Sequence, residues 1–162
     1  MLGIRSLFFA GFLYSVTAMV VALLYFQNYL DLEPCPLCIL QRIAFIAAGS
    51  ICLIGALHNP KKLGQRIYAG LITLSALTGA SIAGWHVRLQ NLPEDQVPMC
   101  GPGLGYMFES LPIAEMLAQV FKGSGECAEL AWSLMGLSIP AWTLISFLLL
   151  AIFSTWILFK KS

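Results

Sequence analysis

The sequence predicts an all-α membrane protein: a four-helix transmembrane bundle with both termini inside and a short amphipathic interfacial helix in its second outer loop. Three observations carry that reading. Of the 162 residues, 59% are hydrophobic and only 10% charged, with a mean hydropathy of +0.82, where soluble domains carry about 25% charged residues. Four apolar segments, about 7–30, 39–57, 67–85 and 141–159, approach the roughly 20 residues a helix needs to cross a hydrocarbon core about 30 Å thick. The basic residues gather at alternate ends of those segments. Arg5 precedes the first, Lys61, Lys62 and Arg66 fill or border the second connection, and Lys160 and Lys161 follow the fourth. Positive residues prefer the cytoplasmic side, so both termini and the middle loop are expected inside. All eight acids then fall outside. The length fits a single domain over 1–162. A net charge of +1 with no Lys/Arg-rich run argues against a nucleic-acid partner.

The first segment, Leu7 to about Leu30, has an apolar run longer than that of a signal peptide and no clear small-x-small cleavage site, and is read as a retained anchor. Gly11, Ser15 and Ala18 allow close approach of another helix. Tyr25, Phe26 and Tyr29 suit an aromatic belt at the outer interface.

The first outer loop leads into Cys35-Pro36-Leu37-Cys38-Ile39-Leu40-Gln41-Arg42. Pro34 and Pro36 push the residue before each toward extended backbone, so Cys35 precedes the second helix and Cys38 sits in its first turn. A helix N-terminus favours negative charge. Arg42, at i+4 from Cys38, shares its face and adds its own charge to the dipole, so the Cys38 thiolate is favoured there. Alone, a Cys-x-x-Cys is equally a structural disulfide or a metal half-site, and Arg42 alone is equally a snorkelling interfacial residue. Two thiols above an intramembrane cation point instead to redox exchange with something dissolved in lipid. A zinc centre wants four ligands. Cys35 and Cys38 supply two, with His86 a distant third, so no resident metal is expected.

The second segment ends at His58-Asn59-Pro60 and carries Cys52 near its inner end, read as an inert small hydrophobe. The third is rich in small residues (Gly70, Ser75, Ala76, Gly79, Ala80, Ala83, Gly84) and suits close packing or a groove for a flat ligand. It closes with Trp85 and His86 at the depth of the Cys-x-x-Cys. His86 is read either as an interfacial hydrogen-bonder or as a functional group at that level.

The large outer loop, about Val87 to Pro140, holds Cys100 and Cys127. Two cysteines in an oxidising compartment pair. The bond is either structural or, in glycine-rich surroundings with little apolar core nearby, open to attack by another thiolate. Between them, Ser110 is placed to cap a helix with Pro112 in its first turn. Ile113, Met116, Leu117, Val120 and Phe121 then form one apolar stripe, expected on the bilayer surface. Trp132 and Leu134–Ile139 are expected to graze the interface. The fourth segment carries Trp142 and Trp156 near its ends.

These residues together resemble the DsbB family, bacterial inner-membrane proteins that generate disulfides. The resemblance covers nearly the whole chain. Its most specific strings are Cys35 to Arg42 and Gly125-Glu126-Cys127-Ala128-Glu129. It implies a quinone-dependent protein-dithiol oxidoreductase with a two-step relay. A reduced DsbA-like periplasmic partner attacks the Cys100–Cys127 disulfide, with Cys100 forming the mixed disulfide. Cys127 then attacks Cys35, and Cys38 donates to bound ubiquinone or menaquinone, with Arg42 and His86 as quinone neighbours. It further implies the bacterial inner membrane, active sites facing the periplasm and exchange with the membrane quinone pool. Gln41 departs from better-known members, which carry a glutamate there. DsbA is a strong oxidant near about −120 mV, so recharging it needs a still more oxidising acceptor, and quinone is the abundant one at this depth. Two other readings remain: a thiol reductase resembling vitamin K epoxide reductase, where the Cys-x-x-Cys begins a later helix, and a non-enzymatic soft-metal handler using Cys-Pro-Leu-Cys.

Overall fold

The computed structural model describes residues 3–93, 96, 112–123, 125–128 and 130–160. Cys100 and Ser110 lie outside them. Among the described residues, four helices are long and apolar enough to cross a membrane, which makes this a multi-pass membrane protein. α1 (Ile4–Val20) continues without a break into a π-helical stretch, Val21–Tyr29. α2 covers Pro36–His58 and α3 Lys62–Gln90. α4 (Ile113–Lys122) and the single turn α5 (Gly125–Ala128) follow between the third and fourth spans. A minimal antiparallel hairpin, β1 (Ser133–Leu134) with β2 (Leu137–Ser138), then feeds α6 (Ile139–Phe159).

Several boundaries differ from the sequence reading. α3 is longer at both ends, so Lys62 and Arg66 are helical and the turn between α2 and α3 shrinks to Asn59–Lys61. Asn59 closes α2 in the left-handed region at φ 45°, its N–H bonded to the Gly55 carbonyl, a conformation asparagine tolerates. Pro112 is the residue before α4 rather than part of its first turn. The widening of the first span was not expected. Its i→i+5 bonding persists to Leu30, whose N–H reaches the Tyr25 carbonyl, and such turns recur at functional sites.

The bundle is held by close backbone approach, since lipid tails remove most hydrophobic drive for helix association. α3 packs most extensively on α6, with α1 on α2 and α2 on α3. The α3 seam is Ala69, Ile72, Ala76, Gly79, Ala80 and Ala83, all buried. At Gly79 a Cβ would overlap the Phe147 ring. Phe147 is fully buried and stacks on Phe45 with ring centroids 4.0 Å apart, so the missing side chain makes room for the aromatic pair that ties α2 to α6. Cys52 is 2% exposed, and a Cβ on Gly11 would come within 2.9 Å of its sulfur; it is a packing thiol between α1 and α2. Polar groups add interhelical bonds: Thr73 Oγ1 and Ser154 Oγ lie 2.8 Å apart, and the Ser75 hydroxyl donates to the Ala44 carbonyl at 3.1 Å.

A second, smaller apolar cluster sits where α2 begins and α3 ends: Cys35, Leu37, Leu89, Val120 and Cys127. It corrects two expectations. Val120, assigned to a stripe facing the bilayer, is 5% exposed and faces protein, while Phe121 beside it remains half exposed. Cys127, expected in open surroundings with little core, is 1% exposed. The physical reason is that Leu37 and Leu89 project from the tops of α2 and α3, and the loop's own apolar residues cover them.

Candidate redox site at the start of the second helix

α2 begins as its sequence dictates. Cys35 is the residue before the helix, in extended backbone, and Pro36 opens it, where a missing N–H costs nothing. One turn on, the Cys38 sulfur lies 3.0 Å from that of Cys35, with the Cys35 thiol donating. Cys35 is buried and Cys38 partly so. The expectation that the Cys-x-x-Cys straddles the helix start is met by this geometry.

His86 is the centre of the site rather than a residue of the membrane rim. It is 2% exposed, and its Nε2 lies 3.1 Å from the Cys127 carbonyl oxygen and 3.8 Å from the Cys35 sulfur. Its Nδ1 lies 3.1 Å from the Gln41 amide nitrogen. A carbonyl only accepts, so Nε2–H donates to Cys127 and Nδ1 accepts from Gln41: a neutral ring satisfies both bonds. His86 was read as a distant third ligand to the cysteines, and its Nε2 lies against the Cys35 sulfur. Among the described residues, one ligand atom each from Cys35, His86 and Cys127 lie within 4.8 Å of one another, all three buried. The loop cysteine is therefore carried to the membrane-edge pair.

Arg42 lies one turn further along α2 from Cys38, half buried. One guanidinium nitrogen donates to Gln27 Oε1 at 2.8 Å and the other to the Ala22 carbonyl at 3.4 Å. Both acceptors belong to the π-helical stretch. Gln27 and Gln41 are the site residues that sequence reasoning passed over. The available signal was an amide inside an otherwise apolar span, since polar groups at membrane depth are rare without a purpose. Gln41, 3% exposed, was noted only as a departure from a glutamate; its amide serves His86.

A cavity of about 340 Å³ opens beside these groups. Cys38, Gln41, Arg42, Phe45 and His86 line it, with Phe26, Trp132 and Trp142 among its aromatic walls. Phe26 and Trp132 meet edge to face at 4.9 Å, which ties the hairpin side of the loop to the first span. A mostly apolar space of this size with a few convergent polar groups is what a small planar ligand requires. The Cys38 thiol at its wall and the fixed Arg42 cation beside it suit a quinone headgroup by size and donor chemistry.

Comparison with known proteins agrees with this geometry. Residues 4–157 match the family model described as DsbB, disulfide bond formation protein DsbB. The chain is 52% identical over 155 residues to disulfide bond formation protein B of Nitrosococcus oceani, covering 96% of this chain and 91% of that protein. It is 51% identical over 150 residues to the protein of the same name from Methylococcus capsulatus, covering 93% and 91%. With that of Saccharophagus degradans it shares 51% over 138 residues, covering 85% and 83%.

Proposed function

Because the chain belongs to the DsbB family of disulfide bond formation proteins, and so acts as a thiol oxidase, we propose that it reoxidises a DsbA-like periplasmic dithiol oxidase and hands the electrons to membrane quinone. One observation carries the relay: the Cys127 sulfur lies in the same buried cluster as that of Cys35, within 4.8 Å. A loop disulfide that only stapled the loop would have no need to bring its cysteine there.

The electron balance runs through the chain's own sulfurs. A partner thiolate attacks Cys100 of a Cys100–Cys127 disulfide, forming a mixed disulfide and releasing Cys127 as a thiolate. Cys127 attacks Cys35 of the Cys35–Cys38 disulfide and releases Cys38. The partner's second thiol resolves its mixed disulfide and frees Cys100, which attacks Cys127 and leaves Cys35 and Cys38 as a dithiol. The net change is one partner dithiol oxidised and one pair here reduced. A bound quinone supplies the two-electron, two-proton acceptor that lets the Cys35–Cys38 disulfide re-form. Arg42 holds positive charge at the cavity wall beside Cys38, where a fixed charge in low dielectric stabilises an anion strongly. His86 Nε2–H fixes the Cys127 backbone near Cys35, and Gln41 fixes the ring.

This reading places the active site on the periplasmic face of the inner membrane, with both termini inside, and treats residues 1–162 as one membrane domain. The distribution of basic residues supports that orientation. Purified protein stripped of lipid quinone tests the function. Added ubiquinone or menaquinone is expected to restore oxidation of a reduced dithiol partner. Cys38→Ser abolishes the turnover, Arg42→Met lowers it and Cys52→Ser leaves it intact. Full turnover in Cys38→Ser would overturn the relay.

A further inference from the structure

We propose that the fully reduced chain captures a thiophilic divalent cation such as Zn²⁺ on Cys35, His86 and Cys127, with Cys38 completing the set, and that capture arrests the enzyme. The arrest rests on the relay described above; the site itself does not. Its three principal donors are 8%, 2% and 1% exposed, so it is shielded from competing water. A tetrahedral centre with metal–sulfur bonds of about 2.3 Å and a metal–nitrogen bond near 2.05 Å sets sulfur and nitrogen about 3.6 Å apart and two sulfurs about 3.8 Å apart. His86 Nε2 is already 3.8 Å from the Cys35 sulfur, and no pair among the three principal ligand atoms exceeds 4.8 Å. For these three atoms a closure of about 1 Å reaches that centre, and the Cys38 sulfur would move out by about 0.8 Å from that of Cys35 to join it. The Cys38 sulfur, 3.0 Å from that of Cys35, gives the Cys-x-x-Cys half of a three-cysteine, one-histidine set, a common structural zinc combination.

No electron moves in this step. Metal–sulfur bonds replace S–H bonds and the thiol protons pass to solvent. The Nε2 proton of His86 is replaced by one on Nδ1, and Nδ1–H donates a hydrogen bond to the Gln41 amide oxygen once that amide turns to present it; such outer partners fix the tautomer of a ligating histidine. Nε2 gives up the Cys127 carbonyl in exchange for the metal. Capture is gated by oxidation state. When Cys35 is bonded to Cys38 and Cys127 to its own partner, neither sulfur is a thiolate and the donor set does not exist. Once the metal is held, Cys35 and Cys38 cannot re-form their disulfide and turnover stops.

The test uses Co²⁺ as an optical probe on the full-length protein in detergent, anaerobic and metal-free. The reduced chain is expected to bind one Co²⁺ with tetrahedral visible bands and a thiolate charge-transfer band, which Zn²⁺ bleaches; the oxidised chain shows neither. Cys127→Ser and His86→Gln each weaken binding tenfold or more, Gln41→Leu by about tenfold, and Cys52→Ser does not change it. The proposal is overturned if the reduced chain binds no Co²⁺, if the oxidised chain binds it equally, or if the Cys127 and His86 variants bind as the parent does. The reduced-against-oxidised contrast needs no variant, so a misfolded substitution cannot decide it. The spectra need neither partner nor quinone. A chain that oxidises dithiols yet binds no Co²⁺ refutes the site and leaves the relay standing; one that binds Co²⁺ without oxidising dithiols does the reverse.

Discussion

Replacing Gln27 with leucine removes the acceptor that Arg42 reaches at 2.8 Å while preserving the apolar character of the first span. Hydrogen bonds to charged groups contribute about 1.5–3 kcal/mol. Arg42 is only half buried and keeps the Ala22 carbonyl at 3.4 Å, so the lower end applies. About 1.5 kcal/mol is roughly a tenfold loss in the population of the positioned guanidinium. In a quinone titration of dithiol oxidation by the detergent-purified protein, kcat/KM for quinone should fall about tenfold. Thiol exchange with the partner in the absence of quinone should be unaffected. An unchanged kcat/KM, or quinone-free exchange slowed equally, would overturn the role given to Arg42.

Other perturbations reach different parts of the account. Gly79→Val forces a side chain into the Phe147 ring and should lower bundle stability by about 1–3 kcal/mol as an overpacked core does, read as a reduced unfolding temperature in detergent. Gln41→Leu leaves His86 Nδ1 without its 3.1 Å donor and should slow exchange between the two cysteine pairs more than first attack by the partner, resolved by quenched-flow thiol trapping; equal slowing of both would count against it. Val120→Asp places a charge in the small cluster under the loop. It should detach Cys127 and cut turnover without lowering the unfolding temperature of the membrane helices, and an unimpaired rate would show that the cluster is dispensable.

What was legible in the sequence follows from where solvent imposes a simple rule. The bilayer demands long apolar helices, so the four spans were readable to within a few residues, and Asn59-Pro60 marked the inner turn. Proline chemistry placed Cys35 just outside α2 and Cys38 in its first turn. The loop was harder because no local pattern states what a loop docks on. Val120 was assigned to lipid from its own stripe, and Cys127 to open surroundings from its flanking glycines, yet both pack onto Leu37 and Leu89. His86 was readable by depth but not by contact, since the 41 and 51 residues separating it from Cys127 and Cys35 carry no register. Gln27 was passed over because a neutral amide barely lowers the hydropathy of a span. The π-helical widening that brings Gln27 and the Ala22 carbonyl to Arg42 is a tertiary adjustment that periodicity does not announce.

The central claim is that Cys127 exchanges directly with Cys35. A Cys38→Ser, Cys100→Ser double variant removes the alternative partner of each and leaves both sulfurs in the cluster where they lie within 4.8 Å. After mild oxidation of the purified protein, peptide mass spectrometry under non-reducing conditions should recover a Cys35–Cys127 disulfide as the dominant product, without intermolecular dimers. Recovery of Cys35 and Cys127 as separate thiols, or joined only between chains, would contradict the account.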